Sequence, residues 1–190
     1  MIPPRVKNAA ATRGAILASA RRRFLQESYD NVGLREIAGD VGVDVSLISR
    51  YFGSKEELFR AVLRHGKSEV FDGKVEASDL PCYLAAMAVP GHPENGSEHL
   101  ERLQIILRSV SSPKASEIVR EAFHEDVLDP MAALLPGEDA CTRASLALSV
   151  LTGTTILRAI MGVDSLCECD QEAVRGDLAR LLQMALFGRS

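Results

Sequence analysis

Two short apolar segments joined by a turn at Gly42-Val43 constrain this chain more than any other feature. Apolar residues recur at helical spacing over Leu34–Val41 and again over Val45–Tyr51. Gly42 lies between them and can adopt the backbone conformations that a sharp turn needs. Asp44 directly precedes the second segment and is a good N-cap for it. The spacing therefore predicts two short helices joined by a tight turn, which is the geometry of a helix-turn-helix unit.

Amphipathic segments continue on both sides of this pair. We expect a flexible arm over Met1–Ala11 and then a helix over Arg13–Gln26, capped by Thr12. Ser54 and Glu57 form a capping box that opens a helix predicted to run to about Phe71. The later helices are predicted at 82–89, 98–111, 114–135 with a kink or split at Pro130, 140–161 and 170–187.

The composition agrees with an all-α fold of about nine helices. Aromatic residues make up 5% of the chain and Trp is absent, whereas strands would need more aromatic and β-branched residues in alternating runs. The charge is unevenly distributed, because residues 1–60 hold ten Lys/Arg against seven Asp/Glu, within a chain of net charge -4. A basic end on an acidic body indicates contact with a polyanion, although an ordinary solvated helix face would have the same composition.

The helix-turn-helix residues also have a recognisable order. Leu34–Ala38, Gly42-Val43, Ile48 and the run Tyr51–Phe59 resemble the N-terminal domain of TetR-family transcriptional regulators. The resemblance covers roughly Thr12–Val62. It implies a DNA-binding protein with an N-terminal three-helix helix-turn-helix domain and a C-terminal helical domain for ligand binding and dimerisation. It places the DNA-binding domain at residues 1–53, the linking helix at 54–71 and the C-terminal domain at 72–190.

The DNA contacts follow from the pattern and from this resemblance. Val43, Ile48 and Phe52 are suited to anchor the second motif helix, which leaves Val45 and Tyr51 among the outward-facing residues. The resemblance assigns Tyr51 and Lys55 to phosphates. The predicted base-facing positions are Ser46, Leu47 and Ser49, with Arg35 and Arg50 as further phosphate contacts. Two departures from the family pattern are Gly33, which lacks a side-chain cap acceptor, and Ser49, where an aromatic residue is common.

Leu107-Arg108-Ser109, Pro130-Met131 and Leu151-Thr152-Gly153 resemble the C-terminal domain of an actinobacterial TetR subgroup. The last two helices of this region predict a homodimer. Helix 140–161 is apolar on nearly all sides, so it must pack against something else. The family forms a four-helix bundle from such a pair of helices, here 140–161 and 170–187, although a purely intramolecular core is the alternative. Both interpretations require these helices to be buried.

The resemblance also implies a cavity for an unknown small-molecule inducer. Arg158 stands in an otherwise apolar helix, so it is either paired with an acid or placed for an anionic ligand. Most of the other candidates fit an ordinary core equally well. The predicted ligand-binding residues are Met87, Leu103, Leu107, Arg108, Phe123, His124, Leu128, Met131 and Arg158.

Other functions have little support in the sequence. The four histidines are scattered and there is no GxSxG, HExxH or P-loop, so we predict no catalytic residues and no enzyme activity. Cys167 and Cys169 are a weak soft-metal pair, and we predict no metal site and no cofactor. We expect no membrane span and a cytoplasmic location. The sequence thus predicts a ligand-responsive repressor that binds a palindromic operator as a dimer. A module that binds ligand but has lost DNA binding is the alternative.

Overall fold

The computed structural model describes residues 5–64, 75–89 and 96–188. Every regular element within these ranges is helical, which confirms the predicted all-α class. These ranges contain ten α-helices when the unbroken helical stretch from Pro113 to Ala133 is counted once. This number is close to the expected nine. The chain divides into a first unit, Met1–His65 with Glu101–Ala122, and a second unit, Gly66–Leu100 with Phe123–Ser190.

The first unit is built on the predicted helix-turn-helix pair. Its core consists of buried side chains from every helix, among them Ile16, Phe24, Ile37 and Phe59. Burying each such side chain contributes about 1.5–3 kcal/mol. Its helices are α1 (Arg5–Gln26), α2 (Leu34–Val41), α3 (Val45–Phe52), α4 (Lys55–Arg64), most of α6 (Gly96–Ser109) and nearly all of α7 (Pro113–Phe123).

The expected flexible arm is wrong for the described part of the N-terminus. Helix α1 begins at Arg5, so Thr12 lies inside the helix and is not its cap. Ala9, Ala10 and Ala11 are strong helix formers, and no breaker separates them from the amphipathic segment that follows. Residues 1–4 lie outside the described ranges.

Helices α6 and α7 contribute to the core of the first unit. Ile105, Ala115 and Ile118 are buried in the same cluster as the helix-turn-helix residues. The Ser112 hydroxyl donates a hydrogen bond to Asp30 Oδ1 at 2.9 Å. Residues 101–122 therefore pack with the described residues 5–64, whereas the sequence prediction assigned them to a domain at 72–190. The predicted boundary itself lies outside the described ranges.

The second unit has its own core, to which four helices contribute buried side chains: α5 (Leu80–Ala88), α8 (Asp129–Ala133), α9 (Ala140–Thr155) and α11 (Gln171–Phe187). Leu84, Ala147 and Leu182 are buried where α5, α9 and α11 meet. Two π-helical segments, His124–Leu128 and Ile156–Ile160, follow α7 and α9 without a break. The unit also contains α10 (Asp164–Cys167).

The predicted split at Pro130 is not observed, because the helix continues through this residue. The π-helical segment His124–Leu128 lies directly before it, and Pro130 occupies the first turn of α8. Proline cannot donate the backbone hydrogen bond of a regular α-helix, and its ring displaces the preceding turn. The wider π-helical turn accommodates that disruption without ending the helix.

Helix α9 and its π-helical extension together cover nearly the whole of the predicted helix at 140–161. Ala140–Ile160 is sufficient in length and composition to cross a membrane, contrary to the expectation that no apolar run approaches that length. Such a helix is weak evidence for a span, because buried helices of other proteins have the same composition. Here many of its apolar side chains are exposed on the protomer.

Candidate nucleic-acid interface

The turn between α2 and α3 has the geometry that the sequence predicted. Gly42 adopts a left-handed conformation with φ of 70°, which non-glycine residues rarely adopt. The Val43 N–H donates to Ala38 O at 3.0 Å and closes the end of α2. The Asp44 carboxylate then accepts from the Ser46 N–H at 2.8 Å and caps α3. These contacts fix the direction in which α3 leaves the turn.

Helix α3 is attached by one face and exposed on the other. Ile48 and Phe52 are buried in the core of the first unit. Ser46, Ser49 and Arg50 are exposed. The helix therefore presents a polar face held in place by two apolar anchors, and a duplex groove could accept that face.

Three of the predicted outward-facing residues are less exposed than expected. Val45 and Tyr51 are half-buried and pack against the core of the first unit, and Leu47 is half-buried. An eight-residue helix that is anchored at two positions brings the flanking side chains close to the same core. The prediction of fully outward-facing Val45 and Tyr51 is therefore wrong, although both keep an exposed part.

The start of α2 lies beside α3 and is capped in an unexpected way. Gly33 has no side-chain acceptor, as the sequence indicates, but its N–H donates to the Glu36 carboxylate at 3.1 Å. Glu36 thus supplies one half of a capping box. Arg35, in the first turn, is exposed.

Lys55 is held by an aromatic ring. Its Nζ lies 4.4 Å from the centroid of the Tyr29 ring, in a cation–π arrangement. Tyr29 in turn packs edge-on against Phe59, with ring centroids 5.0 Å apart. Burial lowers the pKa of Lys55, and the neighbouring carboxylates of Asp30 and Glu56 oppose that shift. Burial also raises the pKa of Tyr29 to about 12, so the ring stays neutral.

A groove of about 470 Å³ lies between α1, α3 and α4. It was not predicted from the sequence. The Arg13 guanidinium lies 4.7 Å from the centroid of the Phe52 ring, and Arg60 Nη2 lies 2.9 Å from Glu121 Oε2. The four-residue spacing of Arg60 and Arg64 was the available signal. The groove is lined by Arg13, Leu17, Tyr51, Phe52, Glu57, Arg60, Ala61 and Arg64.

Comparison with known proteins identifies the family. Residues 16–62 match the family model described as bacterial regulatory proteins of the tetR family. Residues 92–186, half of the chain, match the tetracyclin repressor-like C-terminal domain. The chain belongs to the TetR family. It is therefore a DNA-binding regulator of transcription with a helix-turn-helix domain.

Solved structures of similar fold include other TetR-family regulators. A regulator from Streptomyces coelicolor is 27% identical, with 98% of this chain and 99% of that chain covered and a TM-score of 0.53. A regulator from Aquifex aeolicus is 17% identical, with 91% and 98% covered and a TM-score of 0.64. One from Saccharomonospora viridis, solved with choline, is 18% identical, with 92% and 96% covered and a TM-score of 0.57. No curated protein matches the chain.

The predicted ligand-binding residues of this TetR-family regulator occupy different environments. Leu103, Leu107 and Arg108 belong to the first unit, where Leu107 and Arg108 are exposed. The other six belong to the second unit. Leu128 and Met131 are buried in its core, Met87 and Phe123 are half-buried against that core, and His124 is exposed with Nδ1 3.7 Å from Asp129 Oδ1.

Of the two predicted alternatives for Arg158, pairing with an acid is not observed among the described residues. Arg158 is 7% exposed, and its Nη2 donates to Gln171 Oε1 at 2.7 Å. Its Nη1 is buried and has no hydrogen-bond partner. Among the described residues Arg158 forms no ion pair with a carboxylate. The role of Gln171 was not predicted, because a glutamine thirteen residues away carries no recognisable signal.

Proposed function

We propose that this TetR-family regulator is a ligand-responsive repressor that binds a palindromic operator as a homodimer. The observation that supports DNA recognition is the exposed polar face of α3, which is anchored rigidly through Ile48 and Phe52. A helix held in this way can enter the major groove without losing its orientation. Since its target is DNA, the proposed location is the cytoplasm.

The proposed contacts divide into base-reading and phosphate-binding residues. Ser46 and Ser49 hydrogen-bond to base edges, and Leu47 makes apolar contact with a thymine methyl. Val45 contributes only the exposed part of its side chain. The phosphate contacts are Arg35, Arg50, Tyr51 and Lys55.

The cation–π contact of Lys55 supports its proposed role. Tyr29 holds Nζ in one place, and the Lys55 residue as a whole is only half-buried. A fixed cation loses less conformational entropy when it meets a phosphate than a freely rotating lysine does. Lys55 also begins α4, where free backbone N–H groups favour an anion.

The proposed dimer contact lies on α9, its π-helical extension and α11. A cluster of large apolar residues this exposed on one protomer is typical of a surface that a partner covers. The same helices contain small residues that are not fully buried and allow close approach, such as Gly153. The exposed apolar residues are Leu146, Leu157, Ile160, Met161, Leu181 and Met184.

The proposed regulation is a change in the spacing of two recognition helices. In the dimer they would stand about 34–36 Å apart and enter successive major grooves. In a second conformation the two recognition helices no longer match the spacing of the grooves. A ligand that binds this conformation more tightly increases its population, to an extent set by the difference in the ligand's affinity for the two conformations. The dimer would then leave its operator.

Binding to selected DNA tests this proposal. Fragments are first selected from genomic DNA with the full chain, and affinity is then measured by fluorescence anisotropy over a range of salt concentrations. The double variant Arg50→Ala, Lys55→Ala should bind more weakly to every fragment. The slope of the logarithm of the binding constant against the logarithm of the salt concentration should become shallower by about 1 for each phosphate that the variant no longer binds. Ser46→Ala should instead reduce discrimination between fragments.

Arg120→Ala is the matched control, because Arg120 is an exposed cation on α7 of the same unit. It should leave both affinity and salt slope unchanged. Failure to recover any fragment, or an equal loss in the Arg120 variant, would contradict the proposed interface.

A further inference from the structure

We infer that Arg158 is the receptor for the carboxylate of an apolar small molecule, within the second unit. The proposal rests on a buried guanidinium whose positive charge no described residue neutralises. It deepens the ligand-responsive function proposed above by assigning the chemical class of the ligand and the residue that recognises it.

A second buried arginine on the same continuous helix shows how this unit satisfies such a group. Arg143 is 6% exposed, nearly the same as Arg158. Its Nε donates to the Asp139 carboxylate at 2.8 Å, and its two terminal nitrogens donate to the backbone carbonyls of Leu186 and Pro136. Arg143 is therefore neutralised and fully hydrogen-bonded, and its role is structural.

Arg158 has only a neutral partner among the described residues. Gln171 Nε2 donates to Cys167 O at 3.0 Å and to Cys169 O at 2.8 Å, which turns Oε1 towards the guanidinium. An amide oxygen accepts a hydrogen bond but does not balance a positive charge. A buried charge without a counter-ion costs several kcal/mol, so its presence in a folded protein requires a reason.

Asp164 and Glu168, the first acidic residues after Arg158 in the chain, are exposed and form no described ion pair with it. The two acidic neighbours of Gln171 have other roles. Asp170 caps α11 by accepting from the Glu172 N–H at 3.0 Å. Glu172 pairs with Arg175 at 2.6 Å. None of these four carboxylates neutralises Arg158, and we infer that a bound molecule supplies the anion.

The position of Arg158 indicates that the rest of the ligand is apolar. The buried residues Ala144, Ala147 and Leu148 form one face of α9, and Arg158 is the next buried residue towards the C-terminus. A ligand that reaches the guanidinium at the end of an apolar face must itself be largely apolar. A carboxylate loses its water more readily than a phosphate, which would carry up to two charges into the same site.

The π-helical segment is suited to admit the ligand. Arg158 lies within Ile156–Ile160, and π-helical turns occur frequently at functional sites. The free Nη1 is closed off from solvent in this structure. The unneutralised charge raises the free energy of this closed form and so reduces the free energy needed to open it. The ion pair with an entering carboxylate offsets the remaining cost of opening.

The first test uses the stability of the unliganded protein. Arg158→Met replaces the charge with an apolar side chain of similar length and should raise Tm by roughly 2–4 °C. Arg143→Met should lower Tm, because it leaves the Asp139 carboxylate without its partner. Arg158→Lys keeps the charge and should show no gain. A fall in Tm for Arg158→Met as large as that for Arg143→Met would make Arg158 structural and overturn the inference.

The second test measures binding directly, by calorimetry and thermal shift on the full chain without DNA. The probes are sodium hexanoate and sodium decanoate, with hexanamide, hexylamine and inorganic phosphate as matched alternatives. The carboxylates should bind the wild type and should lose at least tenfold in affinity with Arg158→Met. Stabilisation by no carboxylate, by hexanamide equally, or by phosphate alone overturns the inference. Because no DNA is present, a failure here leaves the proposed operator binding untouched, and the converse also holds.

Discussion

At the scale of single residues, Asp40 shows how neighbours determine the behaviour of a charge. Its carboxylate accepts from Arg23 Nε and Nη2 and from the Ser19 hydroxyl, each at 2.7 Å. These hydrogen bonds, that of Arg23 first, hold the pKa of Asp40 well below its usual range. The network joins α1 to α2 and thereby holds the first motif helix against α1.

A lowered carboxyl pKa predicts a specific dependence of stability on pH. The unfolded chain takes up a proton at the ordinary aspartate pKa of about 3.9, whereas the folded chain resists it. The stabilisation by Asp40 is therefore complete above that pH and declines as the pH falls towards the lowered pKa. Asp40→Asn should lower Tm at pH 7, and the difference from wild type should narrow below about pH 4.

Thermal unfolding of both proteins, down to the lowest pH at which both are folded, measures this difference. Glu117→Gln, which changes an exposed carboxylate on α7, serves as the control and should have no effect at any pH. A difference in Tm between Asp40→Asn and wild type that stays constant across this pH range would refute the lowered pKa of Asp40.

At the scale of elements, the α2–turn–α3 unit depends on the backbone of one glycine. Gly42 has φ of 70°, and a Cβ added there meets no atom within 4 Å. Gly39 lies inside α2, and a Cβ added there also meets nothing. The two glycines thus differ in backbone conformation and not in available space.

This difference predicts opposite effects from the same substitution three residues apart. Gly42→Ala should destabilise the protein by about 1–2 kcal/mol, because L-residues are strained in the left-handed region. Gly39→Ala should stabilise it by up to about 1 kcal/mol, because alanine favours a helix interior. Chemical denaturation measures the free energy of unfolding of each variant. Changes of the same sign in the two variants would show that Gly42 does not hold the turn in a left-handed conformation.

At the scale of the whole molecule, two compact units contain two separate cores. The apolar residues of the first unit are largely enclosed, apart from a few such as Leu107 and Val110. The second unit leaves large side chains uncovered on α9 and α11, among them Leu181 and Met184. Their exposure is the physical basis for the proposed homodimer.

Breaking the proposed interface should separate the protomers. Leu181→Glu places a charge on an apolar residue that is 53% exposed, which harms an interface but hardly affects an isolated protomer. We expect a dimeric wild type and a monomeric variant at micromolar concentration by analytical ultracentrifugation. Leu107→Glu, at a residue 43% exposed on α6, should leave the assembly unchanged. A monomeric wild type would exclude this contact.

Local signals predicted most of the helix-turn-helix. Gly42, the Asp44 cap and the anchors Ile48 and Phe52 all act between residues close in sequence, so spacing alone places them. The same reasoning failed for Val45 and Tyr51, whose exposure depends on the core below α3. It also failed for the N-terminal arm, because the prediction places the cap at Thr12 although no helix breaker separates it from Ala9, Ala10 and Ala11.

The sequence by itself determined that the chain is helical, where its turns fall and which family its helix-turn-helix resembles. These properties depend on backbone preferences and apolar periodicity over a few neighbouring residues. Only the tertiary structure decided that α6 and α7 share the first core, that Lys55 lies over Tyr29 and that Arg158 is buried without a counter-ion among the described residues. Each of these depends on contacts between residues distant in the chain, and those contacts exist only once the helices have packed.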